Sequence, residues 1–197
     1  LMPSLFFGHG GPPLANDKHR AGELFRMANL LPRRPKAIIA FTPHVRAQRI
    51  SIASEGIARW SFPKRFRKMV KDIRYHPPAA TSLVPEIYAA FDRIHQPYTM
   101  IEHKGFNHTI WMGLLHLFPK ADIPVVEIAM PFAQPDRLFE IGRALAPLRE
   151  QDVLVLSSGT VTHNLGSFGH YESTPSWASD YDTWTADRVA NSDIDAL

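Results

Sequence analysis

The chain has 197 residues, 45% of them hydrophobic and 21% charged, a balance that excludes a disordered, collagen-like or coiled-coil polymer and supports a core built without staples. A formal net charge of +3 falls short of the footprint of a nucleic-acid binder, and no apolar run approaches the roughly 20 residues of a membrane span. Cysteine is absent, which removes thiol nucleophiles, disulfides and thiolate metal sites, so any metal must be met by nitrogen or oxygen. The protein reads as cytoplasmic, with neither nucleic acid nor membrane as a partner.

In chain order, Pro3 to Phe7 is a short apolar strand that runs into Gly8-His9-Gly10-Gly11-Pro12-Pro13, too rich in Gly and Pro for either regular structure. Lys18 to Leu31 sets Ala21, Leu24, Phe25, Ala28 and Leu31 at helical intervals and stops at Pro32. Ala37 to Phe41 is a continuous apolar strand ended by Thr42-Pro43-His44. Ile50 to Ala53 alternates as a strand, and Thr81 to Ile94 is a predicted helix with Pro85 in its first turn. Pro97 to Ile101 is a predicted strand, followed by the loop Glu102 to His108 and an apolar helix from Thr109 to Phe118. Ile123 to Met130 is a buried strand, Asp136 to Leu148 an amphipathic helix, and Val153 to Leu156 an apolar strand that enters the small-residue loop Ser157 to Leu165. Apolar strands interleaved with helices predict an α/β fold, a mainly parallel central sheet with helices on both faces and the site at the carboxyl ends of the strands.

Histidine is the unusual residue, at 10 copies. His9, His44, His108 and His163 each fall in a loop after a predicted strand or before a helix, and in a parallel sheet such loops converge on one edge. A single loop histidine is ordinarily a surface or hydrogen-bonded residue; four at equivalent places point to chemistry on a rigid scaffold. Imidazole ligates zinc and iron, and its near-neutral pKa suits proton transfer. His19, His76, His95, His103 and His116 read as structural or surface residues, while His170, close behind the His163 loop, is placed at a pocket mouth. Ser157-Ser158-Gly159-Thr160 lacks the spacing of a nucleophile elbow, and no lysine completes a phosphate-binding loop. The basic run Lys64 to Lys71 reads as a solvated helix face.

Five ordered blocks carry a resemblance: Leu5-Phe6-Phe7-Gly8-His9-Gly10-Gly11-Pro12, Ile38-Ile39-Ala40-Phe41-Thr42-Pro43-His44, Gly105-Phe106-Asn107-His108-Thr109-Ile110-Trp111, Ala121-Asp122-Ile123-Pro124-Val125-Val126-Glu127 and Ser158-Gly159-Thr160-Val161-Thr162-His163-Asn164-Leu165. Together, from Met2 to Trp184, the chain resembles the class III extradiol ring-cleavage dioxygenases, in particular the DOPA-dioxygenase-type branch. The resemblance implies one α/β domain over residues 1–197, a non-haem Fe(II) often replaced by Zn(II), and a catechol substrate opened with O2. It matches His9 and His44 to metal ligands and His108 to an active-site residue that handles substrate protons or oxygen. His163 matches a second site histidine, taken as acid/base or as a further metal ligand.

This sequence departs from that pattern in the residues flanking His44, in Asn107 where Asp is usual, and in a shorter segment between Ile57 and Phe62. Relatives draw a further metal ligand from a C-terminal segment, and the chain is read as lacking that segment; Glu127 substitutes only if its strand end faces the site. The roles expected are His163 as base and His108 as proton donor or oxygen-site stabiliser, with the reverse open. The alternatives are a zinc-binding protein on the same scaffold without oxygenase activity, and a metal-dependent hydrolase, for which the loops supply no carboxylate base. Self-association into a homo-oligomer is compatible with all three.

Overall fold

The computed structural model describes residues 1–47, 50–53, 68–100, 106–164, 166 and 173–197. The chain divides into two compact units, Leu1–Gly159 and Thr160–Leu197. The first unit holds strands β1 (Ser4–Gly8), β2 (Ala37–Ala47), β3 (Ile50–Ala53), β4 (Tyr98–Met100), β5 (Val125–Pro131) and β6 (Val153–Gly159) in one six-stranded sheet of order β1-β6-β2-β5-β3-β4. Every pairing is parallel except that of β3 with β5. Its helices are α1 (Lys18–Asn29), α2 (Val84–Arg93), α3 (His108–Leu117) and α4 (Pro135–Leu145). The expected α/β fold is borne out, helices on both faces included.

The continuous apolar strands explain the layering. Along β2, Ile38 and Ala40 join one core with Leu154 and Leu156 of β6, under α1 and α3; Ile39 and Phe41 join the other with Val126 and Ile128 of β5, under α2 and α4. Ile38 and Ile39 are both wholly buried, and each such side chain contributes about 1.5–3 kcal/mol relative to exposure. A strand whose two faces are both covered cannot alternate with polar residues, which is why the run Ala37-Ile38-Ile39-Ala40-Phe41 is apolar throughout.

Local chemistry sets the helix starts. Asp17 caps α1, its Oδ1 accepting from the backbone N–H of His19 at 3.0 Å and of Arg20 at 3.1 Å. Proline opens α2 and α4, where a missing N–H costs no hydrogen bond. The predicted helix from Thr81 is divided into a short 3-10 turn, Thr81–Leu83, and α2; likewise a 3-10 segment, Ala146–Gln151, follows α4.

One expected boundary is corrected. The strand predicted to end at Phe41 continues through Thr42, Pro43 and His44 to Ala47, although its pairing with β5 lapses between Thr42 and Ala47. Pro43 has no N–H to give the ladder, so hydrogen bonding is interrupted while the extended course of the backbone is kept. His44 therefore sits on a strand extension rather than in a loop.

The second unit contains α5 (Ser176–Ala190), in which Tyr181 and Trp184 stack with centroids 5.6 Å apart. Arg188 Nη1 donates to Asp193 Oδ2 at 2.7 Å and closes the end of that helix. Among the described residues no helix is long and apolar enough to cross a membrane.

Candidate functional site

Because β1, β6, β2 and β5 run parallel, their carboxyl ends share one edge, and three of the singled-out histidines lie there. β1 hands over to His9 directly after Gly8, and the His9 N–H donates to Gly159 O at 3.1 Å, prolonging the β1–β6 ladder by one rung. Gly10 follows with φ +57, a left-handed conformation in which a side chain is strained, so the chain turns away immediately after the imidazole. His44 stands beyond the break at Pro43, its N–H donating to Thr42 Oγ1 at 3.3 Å. His108 is the first residue of α3, capped by Asn107, whose Oδ1 accepts from Thr109 N at 3.1 Å.

Ring centroids are 5.1 Å apart for His9 and His44, 4.9 Å for His44 and His108, and 6.4 Å for His9 and His108. Two imidazoles bound to one tetrahedral ion at about 2.1 Å hold their ring centres roughly 5 Å apart. The two shorter separations meet that requirement; the third is wide. Among the described residues, no three His, Asp or Glu side chains are grouped so as to hold a metal ion, so the geometry offers a pair of imidazoles and a neighbouring one rather than a closed ligand set.

The environment distinguishes the three. His9 is buried and its Nδ1 lies 2.8 Å from Ser158 Oγ, which in turn donates to Thr109 O at 2.8 Å. His44 is exposed. His108 has its pKa pushed down to about 4, first by burial, then by the positive charge His44 and His9 carry when protonated. At neutral pH His108 is an uncharged imidazole, able to accept a proton. A divalent cation close by would push in the same direction.

Next to these side chains is a buried polar network whose members no motif links along the chain. Thr42 Oγ1 and Thr109 Oγ1 are 2.9 Å apart, so the middle of β2, just before Pro43, is tied to the first turn of α3. Glu127, on β5 and buried, accepts from the Asn107 backbone N–H through Oε2 at 2.5 Å. Its carboxylate thus faces the loop that leads into His108 and sits at a helix N-terminus, where negative charge is favoured. Glu127 is not grouped with the histidines as a metal donor.

His163 lies in the second unit, exposed, a few residues past Gly159 in the chain. His170, His103 and the stretch from Lys64 to Arg67 lie outside the described residues. His116 is structural: its Nε2 is 2.8 Å from Leu14 O. His95 stands just beyond α2 at φ 52, and His19 is a surface residue 3.8 Å from Glu23.

The chain matches, over residues 23–197, the family model described as the catalytic LigB subunit of aromatic ring-opening dioxygenase; His44, His108 and His163 fall within that span and His9 before it. It is 28% identical to a protein of Escherichia coli named 4,5-DOPA dioxygenase extradiol, over 93% of this chain and 69% of the relative. A protein of the same name from Portulaca grandiflora is 28% identical over 94% of this chain and 71% of its own length, and one from Beta vulgaris is 24% identical over 97% and 74%. The crystal structure of an uncharacterized protein from Escherichia coli K12 matches with a TM-score of 0.78 and 27% identity, covering 95% of this chain and 72% of that one. The resemblance in the five sequence blocks to the DOPA-dioxygenase-type extradiol enzymes therefore holds, and the chain belongs to the family of the catalytic LigB subunit of aromatic ring-opening dioxygenase.

Proposed function

We propose that the protein opens the ring of a catechol at an extradiol position, both atoms of O2 entering the product, with a non-haem divalent metal held by His9 and His44. The observation that carries this reading is the gathering of His9, His44 and His108, 4.9–6.4 Å apart, at the carboxyl edge of a parallel sheet in a member of a ring-opening dioxygenase family. The donor set fits the metal: neutral imidazoles are ligands for both Fe(II) and Zn(II), and two of them leave positions open for substrate. When bound, Fe(II) supplies the Lewis acidity that lowers the pKa of the catechol hydroxyls and the redox chemistry that activates O2.

The protein's own contribution is proton handling and orientation. His108, neutral because of its burial, accepts a proton from a substrate hydroxyl and returns it to an oxygen of the opened product. We assign His108 the acceptor role, the alternative that the sequence reading left open; an imidazole whose pKa is depressed holds the proton only weakly and so passes it on readily. Asn107 and Glu127 hold the loop before His108, so the imidazole meets substrate at the start of a rigid helix rather than on a free loop.

The test is anaerobic reconstitution with Fe(II), then addition of O2 and a catechol, with DOPA as first probe because the relatives carry that name. Stoichiometric oxygen uptake and a visible-absorbing ring-opened product are expected. Zinc and iron uptake with no oxygen consumption over a panel of catechols would overturn the reading in favour of a metal-binding scaffold without oxygenase activity.

A further inference from the structure

The hydroxyl of Ser158 has one proton and two partners, each at 2.8 Å: His9 Nδ1 and Thr109 O. A carbonyl oxygen only accepts. If the Ser158 proton pointed at His9 instead, two oxygens would face each other at 2.8 Å with no hydrogen between them, which is repulsive. The proton therefore lies on the Thr109 side, and Ser158 Oγ accepts from His9 Nδ1–H. In a neutral imidazole protonation of Nδ1 leaves the lone pair on Nε2.

Thr109 is what enforces this. It is wholly buried in the first turn of α3, so its carbonyl cannot swing out to solvent. Its backbone N–H is held by Asn107 Oδ1 at 3.1 Å and its Oγ1 by Thr42 Oγ1 at 2.9 Å. Thr42 Oγ1 also accepts the His44 N–H at 3.3 Å. One buried threonine next to His108 thus anchors the serine that orients His9 and the threonine that supports His44.

We propose that Ser158, its hydroxyl aimed by Thr109, is a positioning residue that locks His9 in the Nδ1-protonated tautomer and commits Nε2 to the site. The assignment of Nε2 as a metal donor rests on the reading above; the tautomer does not. Ligating histidines characteristically donate their other ring N–H to an orienting group, and loss of such a group weakens metal binding by roughly 10- to 100-fold.

The test reads the imidazole nitrogens of metal-free protein by proton–nitrogen correlation NMR, and Zn(II) affinity by competition with a chelator. In the parent, His9 Nδ1 carries the proton and Nε2 does not. Ser158→Ala converts His9 to a tautomer mixture and weakens Zn(II) binding by about 10- to 100-fold, while Ser158→Thr, which keeps the hydroxyl, restores both. A parent His9 protonated on Nε2 overturns the proposal without any variant, as does a Ser158→Ala protein with the parent's tautomer. A parent that takes up no zinc, yet shows the stated tautomer and loses it in Ser158→Ala, upholds the role of Ser158 and overturns the metal reading instead.

Discussion

Replacing Gly113 with Ala tests the packing on which His9 rests. Gly113 lies on the buried face of α3, and a methyl group there would overlap Cζ, Cε2 and Cε1 of the Phe7 ring. Phe7 is 4% exposed and stands on β1 just ahead of Gly8 and His9. Helix propensity alone favours Ala over Gly by about 0.8–1 kcal/mol. Against that, displacing the ring forfeits up to about 3 kcal/mol of burial, with overpacking strain of about 1–3 kcal/mol if it is only partly displaced. The balance is a loss of about 2–4 kcal/mol, or a fall in Tm of roughly 5–15 °C for a chain of this size. Thermal unfolding followed by circular dichroism measures it. Phe7→Leu in the Gly113→Ala background should recover part of the loss, because the shorter side chain leaves space for the methyl. A Gly113→Ala protein melting at or above the parent temperature would refute the reasoning, since propensity would then outweigh the displacement of the Phe7 ring.

Other consequences follow from single contacts. In metal-free protein His108 takes up its proton only near pH 4 against 6.5 in the unfolded chain, so between those values the unfolded state binds more protons and stability falls as pH drops. His108→Gln should flatten that part of the urea-midpoint profile, by no more than about 3 kcal/mol, and superimposable profiles would contradict the burial of this imidazole. Asn107→Ala should cost about 1 kcal/mol in urea unfolding through loss of the α3 cap, with Asn107→Ser recovering most of it; equal stabilities for Ala and Ser would show that the cap is idle. Glu127→Ala leaves the buried Asn107 N–H without its acceptor and should cost about 1–3 kcal/mol, whereas Glu127→Gln keeps a carbonyl oxygen in reach and should lose less; the opposite ranking would discard the contact.

The layers of the fold were legible because burial on both sheet faces forces uninterrupted apolar strands such as Ala37 to Phe41, and because Pro32 and Pro85 mark helix boundaries by sterics alone. The antiparallel pairing of β3 with β5 was not, since a strand of only four residues carries no sign of its neighbour's direction. α5 escaped because its aspartates, threonines and tryptophans make no clear apolar stripe. Near the candidate site, His9, His44 and His108 could be singled out through the Gly, Pro and Asn beside them. Thr42, Thr109 and Ser158 could not: each is an ordinary small polar residue in sequence, and only long-range folding brings their hydroxyls together. The extension of β2 through Pro43 was hidden for a related reason, as proline ends pairing without ending the strand's direction.

The most direct measurement is anomalous diffraction at the zinc edge from crystals of the protein grown with Zn(II). A single strong peak bound by His9 Nε2 and a His44 ring nitrogen, each at about 2.1 Å, is the predicted result. Zinc bound elsewhere, with His9 and His44 making no bond to it, would contradict the metal centre proposed for the ring-opening chemistry.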